Sequence, residues 1–80
     1  MDRLDCMRAF VATADLGGFS RAAAKLGLSR AMVSKRVAEL ERDVGTRLFN
    51  RTTRRLSLTE PGRRFHVQCG HILGLYASAE

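Results

Sequence analysis

Arg30, Ala31, Ser34 and Lys35 share one side of a run whose other side carries Val33, Val37, Leu40 and Val44. That spacing is helical, with an apolar stripe turned to a core and a polar face turned out. The outward face offers guanidinium, ammonium and hydroxyl donors beside a small residue in its first two turns. The acids Glu39, Glu41 and Asp43 come only in the distal half. Duplex DNA presents dense negative charge and a major groove that admits one helix and distinguishes all four base pairs. In a helix-turn-helix the N-terminal part of the second helix reaches base edges, so Arg30, Ala31, Ser34 and Lys35 are the candidate base-contacting residues.

A solvated basic face would give the same run on its own. It is followed, however, by residues 46–59, which hold Arg47, Arg51, Arg54 and Arg55 and no acid. Residues 1–19 sum to −1, 20–45 to +3, 46–59 to +4 and 60–80 to zero, within a net charge of +6 over 80 residues. The middle of the chain is therefore where a polyanion would bind. Ser20 and Arg21 stand at the start of an earlier helix, where backbone N–H groups and the helix dipole suit a phosphate. Plain N-capping by Ser20 is compatible with that role.

The elements that must position these groups follow from caps and periodicity. The first helix is expected from an Asp2 cap through Leu16, with Leu4, Met7, Val11 and Ala14 as its stripe, joined by Phe10, and Gly17-Gly18 as its stop. Ser20 is expected to cap a second helix, Arg21 to Leu26, whose Ala22, Ala23 and Ala24 let another helix approach closely. Three residues, Gly27-Leu28-Ser29, lead to the third helix, about 30–44, capped by Ser29 and ended by Gly45. Short helix, tight turn and longer amphipathic helix make a helix-turn-helix pattern, which many helical hairpins share.

Residues 47–59 lack a 3.6-residue period, and the alternation at Leu56, Ser57 and Leu58 predicts a two-stranded wing. Thr59 is expected to cap a last helix with Glu60 and Pro61 in its first turn. Its stripe is Phe65, Cys69, Leu73 and Tyr76, with Ile72 alongside. The predicted fold class is mainly α: a winged helix-turn-helix of three helices plus a two-stranded wing over 1–59, then a long linker and dimerisation helix over 60–80. Little core remains to cover that helix, so burial against a second copy is its natural outlet and a homodimer is expected. Gly70 and Gly74 oppose this slightly, each lowering helix propensity by about 1 kcal/mol relative to Ala.

Other chemistries find little support. Eighty residues hold one thin core, which excludes a large or two-domain enzyme. His66 and His71 are five apart on different helix faces, and no catalytic triad or phosphate-binding glycine loop is suggested, so no enzyme is expected. Cys6 and Cys69 have no zinc-finger spacing and read as buried free thiols; a Cys6/His66/Cys69 metal site would need both ends to converge and a fourth ligand. The apolar runs are too short for a membrane span and the start is acidic, which points to the cytoplasm and away from membranes. A non-specific nucleic-acid binder is the alternative, since charge alone suffices for it. Single-strand binding lacks stacking platforms, because Phe10, Phe19, Phe49 and Phe65 fall on core-like stripes.

Several segments carry a resemblance across essentially the whole chain: Phe19-Ser20-Arg21-Ala22-Ala23-Ala24-Lys25-Leu26, Val33-Ser34-Lys35-Arg36-Val37, Leu40-Glu41, Gly45-Thr46-Arg47-Leu48-Phe49-Asn50-Arg51-Thr52 and Leu58-Thr59-Glu60-Pro61-Gly62. Together they resemble the DNA-binding domain of LysR-type transcriptional regulators. The resemblance implies a winged helix-turn-helix, a linker helix pairing with its partner's copy, and an interrupted inverted-repeat site in double-stranded DNA near a promoter. It puts Arg30, Ala31, Ser34 and Lys35 on base-contacting positions. Ser20 falls on a phosphate-contacting position and Arg51 to Thr53 on the wing; with the neighbouring cations Arg21 and Arg54, Ser20, Arg51, Thr52 and Thr53 make up the expected backbone contacts. Phe65, Cys69, Ile72, Leu73 and Tyr76 are the expected dimerisation set. No cofactor is implied for these residues; a small-molecule effector would belong to a C-terminal domain outside them.

Two departures from the family pattern matter. Arg30-Ala31 stands where many members have Gln-Pro, and Pro61 replaces the alanine of a Glu-Ala-Gly element. Arginine suits a bidentate contact with guanine O6 and N7, whereas glutamine pairs with adenine, so a guanine preference is expected under Arg30.

Overall fold

The computed structural model describes residues 2–51 and 55–79. Four helices and one hairpin follow in the order α1 (Arg3–Leu16), α2 (Phe19–Leu26), α3 (Arg30–Val44), β1 (Phe49–Arg51), β2 (Leu56–Leu58) and α4 (Glu60–Ala79). Asp2 caps α1 by accepting from the Asp5 N–H at 2.9 Å, and Ser29 caps α3 by accepting from the Met32 N–H at 3.1 Å. The strands pair antiparallel with Phe49 opposite Leu58 and Arg51 opposite Leu56. Thr52, Thr53 and Arg54, expected to contact the DNA backbone, lie outside the described residues.

One expected boundary is corrected. α2 starts at Phe19, its N-cap is Gly18, and no side chain caps it, so Ser20 lies inside the first turn. Two residues join α1 to α2, and Gly17 takes the left-handed conformation at φ 80°. Starting the helix at Phe19 swings its ring against Phe49, with centroids 6.1 Å apart, and that aromatic packing outweighs the Ser20 cap.

α1 packs against α2, α3 and α4 and so forms the centre of the core. Ala9, Phe10, Ala22, Val33, Val37, Leu40 and Cys69 are fully buried there. Small alanines on α1 and α2 let these helices approach closely, while Phe10 fills the middle, 5.3 Å from Phe49 and 5.8 Å from Phe65. Thr13 is buried with its hydroxyl donating to the Ala9 carbonyl at 2.7 Å, so it leaves no unpaired donor.

α4 shares the core of the preceding elements. Cys69 on α4 is 0% exposed, and Phe65 and Leu73 pack on the same cluster. Thr59 ties wing to helix: its hydroxyl donates to the Arg47 carbonyl at 2.7 Å and accepts from the Gly62 N–H at 2.9 Å. Gly62 then lies so close to the Leu48 backbone that any Cβ would overlap the Leu48 carbonyl.

Candidate nucleic-acid interface

α3 is held by its valines. Val33, Val37 and Leu40 are 0% exposed, and Val44 is half-buried. A 100° step per residue then fixes the opposite face, on which Arg30, Ala31 and Lys35 are exposed and Ser34 is half-buried. The early turns of α3 project into solvent beside the wing, as the sequence periodicity requires.

Two open clefts run along this face. One, of about 510 Å³, is lined by Phe19, Arg30, Ala31, Ser34 and Arg51. The other, of about 470 Å³, lies between the distal half of α3 and the wing and is bordered by Ala38, Arg42 and Arg47. Ser34 and Arg51 line both, so the Arg51 side chain stands between the clefts.

Arg51 is not a freely waving cation. Its Nη2 donates to Glu41 Oε1 at 3.0 Å, and its guanidinium lies 5.8 Å from the Phe19 ring centroid. The same ring lies 5.9 Å from the Arg30 guanidinium, so Phe19 holds two cations at the mouth of one cleft. Arg21 points elsewhere: its Nη1 donates to the Leu16 carbonyl at 3.3 Å, closing the end of α1. Ser20 is exposed in the first turn of α2.

Glu41 is the residue that pattern reading missed. Grouped by sequence with the distal acids, it is 7% exposed and accepts from the Leu48 and Phe49 N–H groups at 2.8 and 3.3 Å. Its position four residues after Val37 placed it on the apolar stripe, which was the available signal. An acid in phase with a buried stripe must have partners or be neutral.

The expected dimerisation residues separate into two groups. Cys69 is spent entirely on the chain's own core, and Phe65 and Leu73 pack against it. Ile72 and Tyr76 are exposed, and so are Val67 and Leu75, which the stripe did not include. Arg8 lies over the Tyr76 ring at 5.6 Å, and His66 pairs with Asp15 at 2.8 Å, both fastening α4 to α1. Both cysteines are free and buried, and burial pushes the Cys69 thiol from its ordinary 9.0 up to about 11. Among the described residues no three His, Cys, Asp or Glu stand together as a metal set, and no helix is long and apolar enough to cross a membrane.

Comparison with known proteins agrees with this architecture. The family model described as bacterial regulatory helix-turn-helix protein, lysR family, matches residues 4–63. An HTH-type transcriptional repressor of Pseudomonas aeruginosa (strain UCBPP-PA14) is 51% identical over 73 residues, covering 91% of this chain and 23% of the relative. The regulator CrgA of Neisseria meningitidis serogroup B is 45% identical over 71 residues, covering 89% of this chain and 24% of the relative. The chain thus spans about a quarter of the length of these curated relatives. Among solved structures, the BenM DNA-binding domain in complex with benA site 1 DNA superposes with TM-score 0.91 at 28% identity, over 99% of this chain and 88% of that one. The CbnR DNA-binding domain–DNA complex gives TM-score 0.91 at 29% identity, over 99% and 90%. This chain belongs to the lysR family of bacterial regulatory helix-turn-helix proteins and is that family's DNA-binding winged helix-turn-helix domain.

Proposed function

We propose that the chain reads a specific inverted-repeat site in double-stranded DNA, as the recognition module of a transcriptional regulator acting in the cytoplasm. α3 enters the major groove with Arg30, Ala31, Ser34 and Lys35 toward base edges. Arg51, Thr52, Thr53 and Arg54 of the wing contact the backbone, as does Ser20 from the first turn of α2, and Arg21 joins them by exchanging its Leu16 carbonyl for a phosphate. The observation that carries this reading is the orientation of α3, with Val33 and Val37 sealed inside and Arg30, Ala31 and Lys35 turned out beside the wing. Similarity to domains solved on DNA supports it.

A second copy pairs through α4, using the exposed Ile72, Leu75 and Tyr76 while Phe65, Cys69 and Leu73 hold α4 to its own domain. Two-fold symmetry then sets two α3 helices about one turn of DNA apart. These residues act without catalysis and need no cofactor; a small-molecule effector belongs to a C-terminal domain of a longer protein.

Selection from a random duplex pool, followed by footprinting, tests the proposal. A two-fold related sequence should emerge, and its complex should resist competition by random duplex. A non-specific binder would show steep salt dependence too, but would lose that competition at equal mass.

A further inference from the structure

A surface shaped only to attract DNA has no use for a carboxylate at its centre, yet Glu41 sits between α3 and the wing. Its Oε2 accepts from Leu48 and Phe49, at the root of the wing, and its Oε1 accepts from Arg51 at the end of β1. One side chain of α3 thereby grips both the entry to the hairpin and its guanidinium. Phe19 holds that guanidinium from a second side and lies under Arg30 as well. Arg30 on α3 and Arg51 on β1 are thus fixed relative to one another through Glu41 and Phe19.

We infer that Glu41 is a positioning residue for sequence recognition: it sets the Arg51 guanidinium and the base of the wing against the outward face of α3, without touching DNA itself. This rests on the duplex-reading function proposed above. Phosphate contacts carry no sequence information directly, but they fix the register in which base-contacting side chains meet the groove. A guanidinium already held in one orientation loses less freedom when it binds a phosphate. Arg51, steered by Glu41, therefore decides which base pair lies under Arg30 and Ser34. Were Glu41 a repelling charge and no more, its neutralisation would strengthen binding to every duplex alike. Were it purely a folding residue, folded protein would discriminate as before.

The test compares Glu41→Gln, Arg51→Lys and the double variant with wild type, each shown folded by circular dichroism. Affinities are measured for the selected duplex and for a random duplex at one salt concentration. Glu41→Gln should lower the ratio of the two affinities roughly tenfold, and Arg51→Lys, which keeps the charge, should lower it comparably. The double variant should discriminate no worse than the poorer single one, because both changes break the same contact. An equal gain on both duplexes with Glu41→Gln, or an unchanged ratio in the folded variants, overturns the inference. If Glu41→Gln does not fold, Arg51→Lys decides alone, and an unchanged ratio there overturns it. A wild-type chain that selects no sequence removes the underlying reading first, before any variant is compared.

Discussion

Two single residues carry more than their size suggests. Gly62 is packed against the Leu48 backbone where no Cβ fits, so Gly62→Ala should destabilise the fold by about 1–3 kcal/mol, read as a lower urea midpoint with an unchanged m-value. The Leu-Thr-x-x-Gly element showed that a glycine stood there; that it gives room for a carbonyl of the wing needed three dimensions. Glu41→Ala should cost about 3 kcal/mol by the same assay, since it strips an acceptor from two wing N–H groups and the partner from Arg51. The alternation of polar and apolar types marks a stripe, but it cannot say which charged residue on that stripe is paired, because the partners arrive from seven to ten positions later in the chain. Cys69 gives a third signature. Its thiol ionises near 9.0 when unfolded and about 11 when folded, so the unfolded chain loses its proton first. Stability from this group is complete below pH 9 and is lost as pH rises toward 11, by at most about 3 kcal/mol. Unfolding midpoints of wild type and Cys69→Ala should converge across that interval.

At the scale of elements, caps and stripes made α1 and α3 legible to the residue, because Asp2, Gly17, Ser29 and Gly45 act through local backbone chemistry. α2 was legible in its presence but not in its start, since Phe19 joins the helix to reach Phe49, a contact thirty residues distant. The wing showed itself in two strands of three residues only because Leu56-Ser57-Leu58 alternates between strong helix signals. Thr59 joins wing to α4 by two hydrogen bonds, one a cap of the usual kind. Thr59→Ala should therefore cost more than the ~1 kcal/mol of an ordinary cap, and Thr59→Ser should recover most of it, as thermal unfolding of both variants would report.

Across the whole molecule, α4 packs one side into the chain's own core and leaves another exposed. The stripe Phe65, Cys69, Leu73 and Tyr76 was legible as apolar, but periodicity cannot tell burial within a chain from burial between chains. The fold assigns the first three to its own interior and leaves Ile72 and Leu75 outside. Sedimentation at tens of micromolar should accordingly show dimer for wild type and monomer for Leu75→Glu, with circular dichroism unchanged. A concentration-independent monomer for wild type would remove the pairing from the proposal. Guanine N7 methylation interference on the selected duplex tests whether the early turns of α3 read bases in the major groove, since N7 lies in that groove. Methylating one guanine in each half-site should block wild type and should no longer matter to Arg30→Ala. Binding insensitive to methylation at every guanine, or a pattern that Arg30→Ala leaves intact, would contradict it.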